Sequence, residues 1–219
     1  MNNIDHKSHL QRRIKRKGPI FLKGYFSSNK NKKPLFFESY LELAALLHFE
    51  YDPNITFIDS QPHSITYTFG RKKLLYTPDI LVMSVDKTKK YVEVKPSKKL
   101  KQDRNSAKFS TIEAVYQKLG REFDTFSELD IPKVRLKNLE LLFHGASACH
   151  QTKSAIDTAL CVIRSATTVR EAHERLIDKN LNGNMLHYLL FMQYLTIELD
   201  VHITDNSPIE LNVYHQGLH

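Results

Sequence analysis

The sequence predicts a mixed α/β protein that turns helical in its last third and closes with a β-hairpin. Three observations carry this prediction. A run of strong helix formers, ESYLELAALLHF (38–49), precedes several short β-prone runs. Two amphipathic stretches at helical spacing then follow (106–119 and 134–143). Beyond residue 145, three helical stretches lead into two segments of strict apolar–polar alternation.

With 219 residues the chain can bury a sizeable core. No apolar run approaches the ~18–20 residues that span a bilayer. The start of the chain is charged and lacks an apolar core segment, so a cytoplasmic location without membrane attachment is expected. Two cysteines, Cys149 and Cys161, are too few for a disulfide framework or a four-ligand zinc site. The net charge of +8 is unevenly placed: residues 1–37 carry +9, residues 38–144 carry +2 and residues 145–219 carry −3. Residues 1–34 therefore read as a basic arm without a packed element, and Arg12, Arg13, Lys15, Arg16 and Lys17 as contacts to a phosphate backbone.

The remaining elements follow in order. The helix of 38–49 is apolar nearly all round, which predicts burial, and Asp52-Pro53-Asn54 ends it. Ile55–Ile58 and Ile65–Phe69 read as strands, with a turn at Gly70–Lys73. Leu74–Val85 and Tyr91–Lys95 read as an antiparallel hairpin about the polar segment 86–90. A helix over 106–119 closes at Gly120, Phe123–Phe126 adds a strand, and a helix over 134–143 closes at Gly145. Residues 35–145 thus form one α/β domain. In 146–219, helices are expected over 146–166, after the capping box Thr168-x-x-Glu171, and over 185–195. Alternation over 197–203 and 209–213 then gives a hairpin. Three helices followed by a hairpin is the order of a winged helix.

The chemistry concentrates in the central hairpin. A turn near 86–87 sets position 79 opposite position 93, and side chains alternate faces, so Asp79, Glu93 and Lys95 converge on one face. Asp79 stands inside an apolar run, Leu74–Tyr76 before it and Ile80–Val82 after it, where a lone carboxylate is poor filler. Converging carboxylates repel when desolvated, and a divalent cation with hard oxygen ligands, Mg²⁺ or Mn²⁺, supplies the missing charge. A solvated Glu-x-Lys strand with Pro-Asp marking a turn is the alternative for the same residues.

This pattern resembles the PD-(D/E)xK nuclease signature, in which a helix ahead of the hairpin adds another acid. Glu38 and Glu42 are the candidates, and Ser39-x-x-Glu42 is also a possible capping box. The apolar run after Glu42 favours it as the inward ligand. SYLELAALLHFEYDPNITFIDSQP, TPDILV and YVEVKP together are similar to the TnsA family, the endonuclease subunits of heteromeric cut-and-paste transposases. The likeness runs from about Ser39 to Leu211.

That resemblance implies a restriction-endonuclease-like mixed sheet flanked by helices and catalytic roles for Glu42, Asp79 and Lys95. The best-known family member has Gln where this chain has Glu93, and an acid there conforms to the wider nuclease pattern and adds a ligand. It further implies one or two Mg²⁺ ions held by Glu42, Asp79 and Glu93, with Mn²⁺ able to substitute. The implied activity is cleavage of the 5′, non-transferred strands of double-stranded DNA at transposon ends. The implied partners are a DDE-type transposase subunit, TnsB, and an AAA+ ATPase regulator, TnsC; some relatives serve CRISPR-guided transposons.

Just beyond Lys95, the residues Lys98, Lys99, Lys101 and Arg104 form a track suited to the scissile strand. Gln61 follows the strand that should neighbour the hairpin and is a candidate supporting residue beside Glu38. The third C-terminal helix, NMLHYLLFMQYL, has no Lys or Arg, so the 146–219 module is expected to dock a protein partner rather than DNA. Two other readings remain for the whole chain: a stand-alone restriction or junction-resolving nuclease, and a non-catalytic DNA-binding or assembly subunit on a nuclease-like scaffold.

Overall fold

The computed structural model describes residues 22–31, 33–148 and 151–212. Its first elements correct the prediction of an unpacked lead-in up to residue 34. Strands β1 (Gly24–Phe26) and β2 (Leu35–Phe37) pair antiparallel, Phe26 opposite Leu35, and both of those side chains are fully buried. Three-residue strands are too short to show a period, so nothing in the surrounding polar sequence announces them. The five basic residues Arg12, Arg13, Lys15, Arg16 and Lys17 lie outside the described residues.

Helix α1 (Tyr40–Tyr51) begins at Ser39, whose hydroxyl accepts the Glu42 N–H, and buries Ala44, Ala45, Leu46 and Leu47. Strands β3 (Ile55–Ser60), β6 (Ile80–Ser84), β7 (Lys89–Val94) and β8 (Glu122–Phe126) form a four-stranded sheet in the order β3-β6-β7-β8. The first three are mutually antiparallel and β8 is parallel to β7. Strands β4 (Ile65–Phe69) and β5 (Lys72–Tyr76) make a separate ribbon, Ile65 opposite Tyr76 and Phe69 opposite Lys72. The run 74–85 is therefore two strands. Pro78 has no N–H to give to a ladder, and the chain changes sheets across Thr77-Pro78-Asp79. Helices α2 (Ser97–Leu100) and α3 (Asp103–Lys118) connect β7 to β8, with Gly120 at φ +66° closing α3.

Helix α4 (Lys133–Ser147) runs straight through Gly145, which the sequence reading made its stop. The glycine serves close packing instead: a Cβ there would stand 2.5 Å from His187. The helix expected over 146–166 is broken after Ser147 and restarts as α5 (Lys153–Ile163), capped by Thr152. Helix α6 (Val169–Asp178) starts at Thr168 as its capping residues specify. Helix α7 (Met185–Phe191) is shorter than expected, because Gln193 adopts φ +59° and ends it. Strand β9 (Leu195–Ile197) pairs with β10 (Ile209–Leu211), Leu195 opposite Leu211. Most of the alternating segment 197–203 is irregular: Asn138 of α4 donates to the carbonyls of Leu199 and Val201, replacing ladder partners. Val213 lies outside the described residues.

Buried side chains from both ends of the chain form one continuous cluster, from Phe26, Leu46 and Ile58 through Leu142 to Ile163, Leu189 and Ile209. On the other face of the sheet Tyr67, Tyr76, Leu81, Tyr91, Phe109, Ile112 and Tyr116 form a second, aromatic cluster under α3 and the β4–β5 ribbon. Alternation along β6 and β7 divides them: Ile80, Val82, Val92 and Val94 face the first, Leu81 and Tyr91 the second. Asp79 and Glu93 share the parity of Leu81 and Tyr91, so the pleat aims both carboxylates toward the aromatic side. No helix among the described residues is long and apolar enough to cross a membrane.

Candidate active site

The turn after β6 sets the geometry. Lys87 takes φ +69°, Ser84 N donates to Thr88 O at 3.0 Å, and Ile80 falls opposite Val92. Asp79 extends that register by one step, donating its N–H to Val92 O at 3.1 Å. Its carbonyl accepts the Gln61 N–H at 2.8 Å, and its Oδ2 accepts the Val94 N–H at 2.9 Å. Both backbone and side chain of Asp79 are thereby fixed against β7.

Glu93, 4% exposed, is held at both oxygens. Tyr76 Oη donates to Oε2 at 2.6 Å and Lys95 Nζ to Oε1 at 2.5 Å. Lys95 continues the β7–β8 pairing through its own N–H, which donates to Phe126 O at 2.9 Å. Its ammonium is partly open to solvent and stands 5.9 Å from the centre of the Phe109 ring.

Of the two helix acids, Glu42 is the one whose charge bears on Asp79. Glu42 also closes the capping box: Oε2 accepts the Glu38 N–H at 2.8 Å and Oε1 the Ser39 hydroxyl at 3.1 Å. Glu38 instead accepts a hydrogen bond from Lys23 at 2.8 Å.

The electrostatics reflect this crowding. Burial, then the charges of Glu93 and Glu42, push the Asp79 carboxyl up to about 7, against the opposing pull of the Val94 N–H and Lys95. Burial and the Glu93 charge raise the Tyr76 phenol far above its ordinary value, so it stays protonated and can only donate to Glu93. Three acidic side chains in mutual electrostatic reach, with one lysine, form an oxygen-donor set that suits a hard divalent cation. Among the described residues no three His, Cys, Asp or Glu side chains converge as a ready cage. Two of the three carboxylates are turned to other partners, Glu42 to its helix cap and Glu93 to Tyr76 and Lys95. The donor types are those a hard divalent cation takes, but as they stand the three carboxylates do not converge on one point.

Past Lys95 the basic residues Lys98, Lys99, Lys101 and Arg104 are all exposed along α2 and the start of α3. Gln61 reaches the site through its backbone, at φ +47°. One contributor was not foreseen. Tyr76 reads in sequence as an apolar flank of TPD, and only the change of sheet at Pro78 brings its hydroxyl to Glu93. Lys108, which follows Arg104 in the same basic run, stacks its ammonium over Tyr76 at 5.1 Å and Phe109 at 5.0 Å.

The site is thus a buried acid pair, Asp79 and Glu93, with the partly exposed Lys95 on the same mixed sheet. Residues 52–128 match the family model described as TnsA-like endonuclease N terminal. The matched span contains Asp79, Glu93, Lys95 and the basic track; Glu42 lies ahead of it. No curated protein matches the chain.

Proposed function

We propose that the chain is the Mg²⁺-dependent DNA endonuclease subunit of a heteromeric transposase. In this reading it cuts the 5′, non-transferred strands at transposon ends, beside a DDE-type transposase of the TnsB kind and an AAA+ regulator of the TnsC kind. The observation that carries the proposal is the β6–β7 register, which sets Asp79 against Glu93 and Lys95 inside the TnsA-like segment.

Asp79, Glu93 and Glu42 are the residues to hold the cation. When bound, the ion lowers the pKa of a coordinated water and offsets charge on the phosphate. The rest is supplied by the chain. Lys95, partly exposed and tethered to Glu93, orients the attacking water and neutralises charge on the phosphoryl oxygens. Tyr76 holds the Glu93 oxygen that Lys95 does not. Lys98, Lys99, Lys101 and Arg104 steer the strand to Lys95 through its phosphates. The restriction-endonuclease-like core and the winged-helix-like order of α5, α6, α7, β9 and β10 belong to the same proposal. The acidic C-terminal module, with no Lys or Arg on α7, serves to dock a protein partner.

The test is Mn²⁺ binding by calorimetry, with a short DNA duplex present, for the wild type and Asp79→Ala side by side. Binding by the wild type that the variant loses is the expected result. It is followed by loss of 5′-strand cleavage for the same variant in the reconstituted transposase. No binding by either protein overturns the metal assignment and makes the hairpin a scaffold in an assembly subunit.

A further inference from the structure

The β4–β5 ribbon covers the aromatic cluster with one face only. Ile65, Tyr67 and Tyr76 are buried on that face, while Thr66, Thr68, Lys73 and Leu75 form the other and are exposed, Leu75 at 65%. The outer face and α3 line one groove, in which Thr66, Thr68 and Lys73 stand across from Thr111 and Lys118. Among the described residues neither Lys73 nor Lys118 pairs with an acid. The segment 60–78, which includes the whole ribbon, contains no Asp or Glu, and its turn adds Arg71 and Lys72. The exposed face of the ribbon thus presents hydroxyls, cations and an apolar side chain, and no acid. It is complementary to a polyanion that carries apolar sugar edges.

The two walls of the groove lead along the chain to the candidate active site. Tyr76, which holds Glu93, ends the strand that carries Lys73, and three residues of strand span ~10 Å. Lys108, stacked on Tyr76, begins the helical path to Lys118, which covers ~15 Å over ten residues. On duplex DNA those distances correspond to about three or four nucleotides of one strand.

We infer that this groove is a second DNA-backbone site, in which Lys73 and Lys118 hold the duplex about three or four nucleotides from the scissile phosphate, separate from the α2 track. The inference rests on the proposed DNA-nuclease function and extends its substrate contact to a surface outside the catalytic set. Thr66 and Thr68 supply hydroxyl donors to phosphate oxygens, and a β-ribbon is narrow enough to follow a groove.

The test is fluorescence anisotropy of the full chain on a mixed-sequence duplex of about 30 base pairs, titrated between about 50 and 200 mM salt. Two lost phosphate contacts lower the salt slope by about two, so K73A/K118A should lose about 12-fold less affinity than wild type over that range. K73R/K118R should restore the wild-type slope, and K133A/K137A, which removes two exposed lysines on α4, should retain it. Unfolding midpoints of the variants show that the comparison is between folded proteins. If wild type and K73A/K118A share one slope, the groove is not a DNA site although the nuclease reading stands. If the wild type does not bind the duplex at all, the nuclease reading falls and the inference with it.

Discussion

Asp79 and Val94 are joined by a hydrogen bond in which the strand N–H of Val94 donates to the Asp79 carboxylate at 2.9 Å. The bond ties the residue entering β6 to the residue leaving β7, immediately beside Glu93. Asp79 is thus a positioned carboxylate rather than a turn-former, and this N–H and Lys95 both favour its charged form against burial and the neighbouring acids. Replacing it with Asn removes like-charge repulsion and keeps the shape. Asp79→Asn should melt at or above the wild-type temperature without added cations. Wild type should gain about 2.7 kcal/mol at a Mn²⁺ concentration one hundred times its Kd, and the variant nothing. Thermal melts with and without Mn²⁺ decide it: equal stabilisation of both proteins excludes Asp79 as a ligand.

The choice between helix acids has its own test. Glu42 influences Asp79 whereas Glu38 meets Lys23. Glu42→Gln should abolish Mn²⁺ affinity while leaving the melting temperature near that of wild type, since glutamine also serves in a capping box. Glu38→Gln should leave the affinity within about twofold of wild type, since it removes only a partly exposed ion pair. Calorimetric titration of the two variants would reverse the assignment if Glu38→Gln proved the more damaging.

Tyr76 acts through Glu93. Tyr76→Phe deletes a hydrogen bond to a buried carboxylate, which should cost about 1.5–3 kcal/mol of stability. The freed Glu93 oxygen is then held by no phenol, so the affinity for Mn²⁺ should change as well as the melting temperature. A variant that is destabilised but binds Mn²⁺ as wild type does would make the tyrosine a packing residue only.

Gly145 measures how far the two halves depend on each other. A Cβ at this position meets the Cβ and ring of His187 at 2.5 Å across the α4–α7 contact. Gly145→Ala should cost about 1–3 kcal/mol by overpacking. Because the buried cluster runs from Phe26 to Ile209, the loss should appear as a lower midpoint of a single transition. Two separate transitions, only one of them shifted, would show that the halves unfold independently. The shared core also makes point substitutions on the α5–α7 surface, rather than deletion of 146–219, the appropriate probe of partner docking.

A pH dependence should arise far from the candidate active site. Lys30 donates to the carbonyls of Phe49 and Asp52 at the end of α1, and burial lowers its pKa to about 8 despite the charges of Glu50 and Asp52. Between that value and the ordinary 10.5, the unfolded chain holds a proton that the folded chain has released. Stability from this group therefore rises with pH through the window and is lost as pH falls through about 8. With solvent screening of the partly exposed amine, the gain is on the order of 1 kcal/mol. Urea unfolding of wild type and Lys30→Met across this range should show the rise in wild type alone.

What the sequence determined by itself is what short-range chemistry encodes. The 86–88 turn counts residues from Asp79 to Glu93 and so sets their register. Ser39 and Thr168 begin their helices through hydroxyls bonded three residues ahead, and Gly120 ends α3 because φ +66° suits glycine. Asp79, Glu93 and Lys95 were legible as neighbours for the same reason: they lie in or beside two strands joined by a tight turn. Tertiary structure alone decided the rest. Tyr76 reaches Glu93 only because Pro78 diverts the chain between sheets. Gly145 continues a helix because α7 needs the space of its missing side chain. Phe26 and Leu35 become core because Glu50, twenty-odd residues away, accepts hydrogen bonds from the Ser28 hydroxyl and the Asn29 N–H and draws the lead-in onto α1. Each of these depends on partners distant in the chain, where neither spacing nor propensity records which side chains will meet.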